Sequence, residues 1–291
     1  MGYMKHMQNL ASPKQNKAVT IAVVQEKGGV GKTTTAATVS AGLAALGYDV
    51  AGIDTDMQGH FITNFQVFTS AGYPPDLLFD VVSRRRPVHE ALTHIPQAKI
   101  ALEIPSDLTP AGPPGRLDIL SGYLDTTLIP GWIRAHNNHW EALREVIAPL
   151  HQTHDFIIID TPPTKSEMTP AIIAASDYAL IPTLPEALSV RQTSDTLESI
   201  ANLSKYGDMR LLGILPTMVR DGVLLHEESL DELTEAFGET VWNEAFTSLS
   251  IIWGEASAVG MSVMQYAPGH KAAYQAWRIV QKVIESVGVK A

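Results

Sequence analysis

The sequence predicts an α/β fold: a doubly wound, mainly parallel sheet with helices on both faces, built as a single domain. Three observations carry this expectation. Strand-like apolar runs alternate with helical patterns along the 291 residues, and such alternation makes successive strands parallel and puts the connecting helices on the faces of the sheet. A glycine-rich loop stands between the first strand and the first helix. Two later strands run up to aspartates, at the edge where sheets of this kind bind ligands.

Residues 1–17, MGYMKHMQNLASPKQNK, are polar and lack the continuous apolar stretch of a secretory signal. They are expected to form a flexible tail before a domain spanning 18–291. The first strand is expected at 18–25, where AVTIAVV is β-branched and apolar enough to be covered on both faces. The run TTTAATVSAGLAAL at 33–46 reads as a helix that stops at Gly47. Further strands are expected at 48–54, 117–120, 156–160, 178–182 and 210–215, with helices at 140–150 and 187–203. Residues 61–116, interrupted by Pro74-Pro75 and by AGPPG at 111–115, promise short helices and surface loops.

Composition narrows the function. With 45% hydrophobic residues the chain can build a large core, and no apolar run approaches the ~20 residues that would span a bilayer. The expectation is a cytoplasmic protein. It has no cysteine, which excludes disulfides and thiolate-held metals or clusters. With 31 acidic against 21 basic side chains and a formal charge of −10, any nucleic-acid contact must come from a local patch.

The loop itself reads QEKGGVGKTT, residues 25–34. The common phosphate-binding pattern, G-x-x-x-x-G-K-(S/T), would need glycine where Glu26 stands, so this is a variant of the P-loop NTPase type. Its chemistry survives. Gly28, Gly29 and Gly31 lack Cβ atoms, so the backbone through Val30 can curl and aim successive N–H groups at phosphate oxygens. Lys32 brings an ammonium to the terminal phosphates, the Thr33 hydroxyl can ligate magnesium, and Thr34 continues into a helix whose N-terminal end attracts anions. ATP and Mg2+ are the ligands expected.

Two strand ends supply carboxylates. IIID at 157–160 closes on Asp160, the arrangement that holds magnesium in P-loop enzymes. Period-two alternation in IDTD at 53–56 puts Asp54 and Asp56 on one side of their strand end. Asp56 is assigned to the attacking water, Asp160 to the metal shell and Asp54 to support of the metal and its waters.

KGGVGKTT, DTDMQG and IIIDTPP together resemble the ParA/MinD family of deviant Walker ATPases, with the closest likeness to the DNA-partition branch and similarity over most of 18–287. The segments at 180–190, 211–222 and 255–277 look like counterparts of ParA segments. The resemblance implies a role for Lys27, the loop's second lysine: it would reach the phosphates of a second subunit, so that two subunits sandwich two ATP molecules. It also implies weak intrinsic hydrolysis stimulated by a ParB-like adaptor, non-specific DNA binding by the ATP dimer, a nucleoid location in that form, and plasmid or chromosome partition as the outcome. Two alternatives share the chemistry: a ParA-like ATPase positioning a protein cargo such as a microcompartment, and a nucleotide-switched interaction protein without DNA binding. Thr217, Met218 and the 261–268 loop are expected to meet the base. The departures from the family are Glu26 and Met57. MinD's membrane helix has no counterpart in the short, weakly basic end of the chain, so a membrane partner is not expected.

A DNA surface is suggested by Lys271, Arg278 and Lys282, whose spacing returns to one helix face, followed by Lys290. Lys205, Arg210 and Arg220 are secondary candidates, and Arg84-Arg85-Arg86 reads as a solvated loop. HEALTH at 89–94 nearly matches the zinc motif H-E-x-x-H, but its second histidine is one residue late for a shared helix face. His136 and His139 show no carboxylate partner in the sequence.

Overall fold

The computed structural model describes residues 18–163 and 167–288; the expected N-terminal tail and Lys290 lie outside them. Seven strands form one sheet: β1 (Val19–Val23), β2 (Val50–Asp54), β3 (Thr93–His94), β4 (Leu117–Leu120), β5 (Phe156–Asp160), β6 (Tyr178–Thr183) and β7 (Arg210–Pro216). Their order is β3-β4-β2-β5-β1-β6-β7. Every pairing is parallel except β3 with β4. The helices are α1 (Lys32–Ala45), α2 (His60–Thr63), α3 (Leu78–Val82), α4 (Val88–Ala91), α5 (Ile129–Ala135), α6 (Ala142–Ile147), α7 (Thr169–Ala175), α8 (Ser189–Asn202), α9 (Leu224–Phe237), α10 (Ile251–Ala258), α11 (Val263–Tyr266) and α12 (Lys271–Val287).

The central strands are buried on both faces, which is why their sequences are runs of isoleucine and valine and not an alternation with polar residues. The period of two still sorts them. Phe156 and Ile158 of β5 join the apolar layer under α1 and α12, and Ile157 and Ile159 join the opposite layer under α3, α6 and α7. The small residues of α1 follow from its position between the sheet and α12. A Cβ on Gly42 would lie 2.4 Å from Val280 Cγ2 of α12, so only glycine permits that approach.

Six strand positions agree with the sequence expectation to within a residue or two. β3 was not anticipated: two residues give no period, and the strand is held by tertiary contacts. His94 Nδ1 lies 2.9 Å from Asp118 Oδ1 and His154 Nε2 lies 3.1 Å from Oδ2. Arg116 Nε is 3.1 Å from the same Oδ2, close enough for an ion pair but not aligned as a hydrogen bond. The zinc-like HEALTH segment is split between α4 and β3, with His94 committed to Asp118, so its two histidines share neither a helix nor a metal. His139 corrects a second expectation: Glu145, from the next helix, stands 3.0 Å from its Nε2.

Candidate nucleotide site

The site forms at the carboxyl ends of β1, β2 and β5. Between β1 and α1 the loop turns through Gly29 at φ 75° and Gly31 at φ 85°, left-handed conformations that favour glycine. Gly31 caps α1 with backbone alone: no side chain occupies the first N–H groups and no acid sits in the first turn. The helix end therefore keeps its donors and its partial positive charge for an anion. Gly28 and Gly29 are exposed, Val30 is buried, and Thr33 and Thr34 are half-buried at the start of α1.

Lys32 is 6% exposed and its Nζ donates to Lys27 O at 3.3 Å, so this lysine braces the glycine loop. Burial lowers its pKa, against the pull of Asp160 and Asp56. Those two carboxylates thus share its surroundings, as the sequence required.

The strand ends are tied to one another by hydroxyls. Asp54 and Asp160 are register partners across β2 and β5. Thr55 Oγ1 donates to Asp160 O at 2.6 Å, and Thr161 Oγ1 donates to Val23 O at 2.7 Å. Sequence reasoning passed over both threonines because a threonine after an aspartate has no distinguishing pattern.

Asp160 is fully buried and, among the described residues, neither carboxylate oxygen has a hydrogen-bond partner; the Thr33 hydroxyl and the Thr161 N–H approach without closing a bond. Burial pushes its carboxyl up to about 7, with the Asp56 charge adding to the rise and Thr33 and Lys32 opposing it. A buried acceptor left this way is costly unless something arrives to satisfy it. A magnesium ion fits, since it prefers one or two protein oxygens with phosphates and water completing its shell. Thr33 and Asp160 are the groups that would hold it. Among the described residues no cluster of three or more acids and histidines could hold a metal without such help.

Asp54 is tied into the backbone of its own loop. Its Oδ1 accepts the N–H of Asp56 and its Oδ2 the N–H of Phe61, each at 3.0 Å. Burial and the Asp160 charge raise its pKa well above the ordinary carboxylate value. With both oxygens accepting backbone donors, Asp54 anchors the β2–α2 loop and so positions Asp56. Asp56 is half-buried at the loop's rim, with Oδ1 accepting from Gln58 N–H.

On the other side of the loop, a cavity of about 310 Å3 runs from Gly31 and Thr34 past Thr217 and Met218. Thr217 Oγ1 donates to Val30 O at 2.9 Å, and Met218 adopts a left-handed φ of 54° with its N–H on Thr247 Oγ1. The far wall is the 247–254 segment, including Ser248, Leu249 and Trp253. The expected 261–268 loop is not part of it. Its start, Met261 to Val263, lines an adjacent small cavity that shares Thr34, Thr38 and Trp253 with this one, and Gln265 Nε2 donates to Ala98 O. Isolated bridges from β7 to 241 and from Val219 to Ser248 bring the 247–254 segment to the cavity, a long-range pairing that leaves no local mark in sequence. A second cavity, about 370 Å3, lies under α7 and α8 beyond Gln25. The charged groups on its described walls, Glu26 and Glu167, are acidic, which disfavours phosphate there.

The basic candidates do not form one surface. Lys271, Arg278 and Lys282 do share the outward face of α12, but Lys271 is paired with Asp221 and Arg278 lies 3.8 Å from Glu244. Arg220 is exposed near the start of α12. Lys205 and Arg210 lie at the other end of the sheet, stacked on Tyr206 and Tyr178.

The AAA domain family matches residues 18–211. The chromosome-partitioning ATPase Soj of Thermus thermophilus is 30% identical over 279 residues, covering 93% of this chain and 97% of its own. The chain belongs to the ParA/MinD family. Another ParA/MinD relative is the maintenance of carboxysome distribution protein A of Synechococcus elongatus, 28% identical over 68% of this chain and 71% of its own length. Among solved structures, the Cyanothece McdA–ATP complex superposes with a TM-score of 0.74 at 19% identity, covering 95% of this chain and 98% of that one. Pyrococcus furiosus MinD gives 0.66 at 23%, covering 92% and 99%. These two show the ParA/MinD fold. No helix among the described residues is long and apolar enough to cross a membrane.

Proposed function

We propose that this ParA/MinD chain is an ATPase that dimerises on ATP, binds DNA non-specifically in that form and is released when a ParB-like adaptor stimulates hydrolysis, so that a plasmid or chromosome is partitioned. The observation that carries the ATPase reading is the unpartnered Asp160 carboxylate beside Lys32 and Thr33, under a helix end with free N–H groups. The Gly28–Gly31 backbone binds the phosphates and Lys32 stabilises the charge that gathers on them. Magnesium, held by Thr33 and Asp160, would offset charge on the terminal phosphates. Asp56 orients a water whose oxygen bonds to the γ-phosphorus as the bond to the bridging oxygen breaks, and ADP leaves. Lys27 acts on the second subunit's phosphates. The adaptor, the slow intrinsic rate, the nucleoid location and a domain spanning 18–291 belong to the same proposal, and the Soj relative supports it.

The paired cations of α12 favour a second reading, in which a protein assembly is the cargo and DNA contact is weaker; the carboxysome-distribution relative supports it. Light scattering with ATP or ADP tests the shared chemistry. ATP alone should double the mass, and Lys27→Ala should abolish the doubling; dimers that persist in the variant reject the sandwich. Salt-dependent binding to random DNA with ATP, absent with ADP, supports partition on DNA, and its absence leaves the protein-cargo reading.

A further inference from the structure

Lys27 is already engaged within its own subunit. Its Nζ lies 2.5 Å from Glu186 Oε2, with the two side chains 27% and 50% exposed. Glu186 sits in the turn that leads into α8, and that turn is fixed by backbone bonds: Glu186 N–H donates to Leu184 O, and both the N–H and the hydroxyl of Ser189 donate to Glu186 O. The two residues before Lys27 grip the same segment. Gln25 Oε1 accepts from the Thr196 hydroxyl at 2.6 Å and Glu26 Oε1 from the Ser199 hydroxyl at 2.7 Å. The backbones that carry both charges are thus held, and the long lysine side chain has the reach to leave.

We propose that Glu186 is an intramolecular competitor for Lys27: it sequesters the ammonium in the nucleotide-free subunit, and association requires exchanging this carboxylate for the other subunit's triphosphate. The inference rests on the dimer reading above and adds a regulator to that site. A triphosphate carries more negative charge than one carboxylate and draws the lysine across, while a diphosphate offers less. The latch therefore widens the gap between ATP and ADP. An exposed ion pair shifts an equilibrium by at most about fivefold, and a symmetric dimer opens two, so the latch sets the ATP requirement within about one order of magnitude.

Glu186→Gln keeps the size of the side chain and leaves the backbone turn intact. In nucleotide-free protein, reductive methylation read by mass spectrometry should label Lys27 several-fold faster in Glu186→Gln than in wild type, with buried Lys32 as the internal reference. By light scattering the variant should dimerise at about three- to tenfold lower ATP. Equal labelling of Lys27, or an ATP midpoint unchanged or raised in the variant, overturns the latch. ATP-driven dimers in both proteins with equal labelling reject the latch alone. A wild type that stays monomeric at every ATP concentration rejects the dimer reading, and the labelling then still decides whether Glu186 holds the lysine.

Discussion

Asp160 and Asp118 sit on strands of the same sheet, separated only by β2, and the two ends of the sheet treat their buried carboxylates in opposite ways. At the amino end, Asp118 is surrounded by His154, His94 and Arg116. Burial alone would push its carboxyl up, yet the two histidine hydrogen bonds and the nearby charges hold it below the ordinary value. At the carboxyl end, Asp160 has no bonded partner and burial takes it to about 7. One carboxylate is completed by the fold and stabilises it. The other has no bonded partner among the described residues, as a group kept for a ligand would. This is the expected division in a protein whose binding site costs stability that the rest of the molecule supplies.

The largest effect should come from the amino end. Asp118→Ala leaves His154 and Arg116 beside an empty site and frees the edge strand β3, and breaking a buried, hydrogen-bonded charge pair costs about 3–5 kcal/mol. Urea denaturation should show that loss, while nucleotide binding by the folded variant stays close to wild type. A loss below about 1 kcal/mol would mean that the amino-end network is decorative and the contrast false.

The carboxyl end should respond with the opposite sign. Because the folded Asp160 keeps its proton up to about pH 7 while the unfolded chain releases it near the ordinary carboxylate value of 3.8, the folded state binds more protons across that window. Stability without metal therefore falls as pH rises through it, by as much as about 4 kcal/mol at 1.4 kcal/mol per unit. Asp118, with its depressed value, contributes stability that is present above the usual carboxylate range and lost as pH falls through its folded value. In EDTA, Asp160→Asn should shrink the decline above about pH 4, leaving the part due to Asp54, be more stable than wild type at pH 8, and lose magnesium-dependent hydrolysis. An unchanged pH profile would show that Asp160 is not the strained group.

The carboxyl end was largely legible in the sequence because its chemistry is local. The loop from Lys27 to Thr34 is contiguous, and Asp160 ends an unbroken apolar strand. What stayed hidden depends on distant pairing. Asp118 gave no signal, since His94, Arg116 and His154 reach it from three separate segments. The anchoring bonds of Asp54 were also hidden, because alternation reports which side a residue faces but not which backbone N–H groups will claim it. The 247–254 wall of the cavity beside Met218 stayed hidden for the same reason: only the chain's return past β7 brings Thr247, Ser248 and Trp253 to Met218. The strand β3 and Glu186 were missed because neither carries a period or a motif.

Glu26 separates location from satisfaction and should give the smallest effect. Glu26 stands where the ParA resemblance expects glutamine, and its negative charge one residue before Lys27 suggests repulsion of the phosphates. The geometry argues otherwise, because Glu26 Oε1 accepts from Ser199 on α8 and the side chain is directed to that helix, away from the glycine turns. It is a carboxyl-end acid that is partnered like Asp118. Glu26→Gln retains an acceptor for Ser199 and removes only a charge partly screened by solvent, worth at most about 1 kcal/mol. ATP affinity measured by calorimetry should change by less than about threefold. A tenfold gain would place the charge in the phosphate field and show that position at this end of the sheet, not the presence of a partner, decides what a carboxylate does.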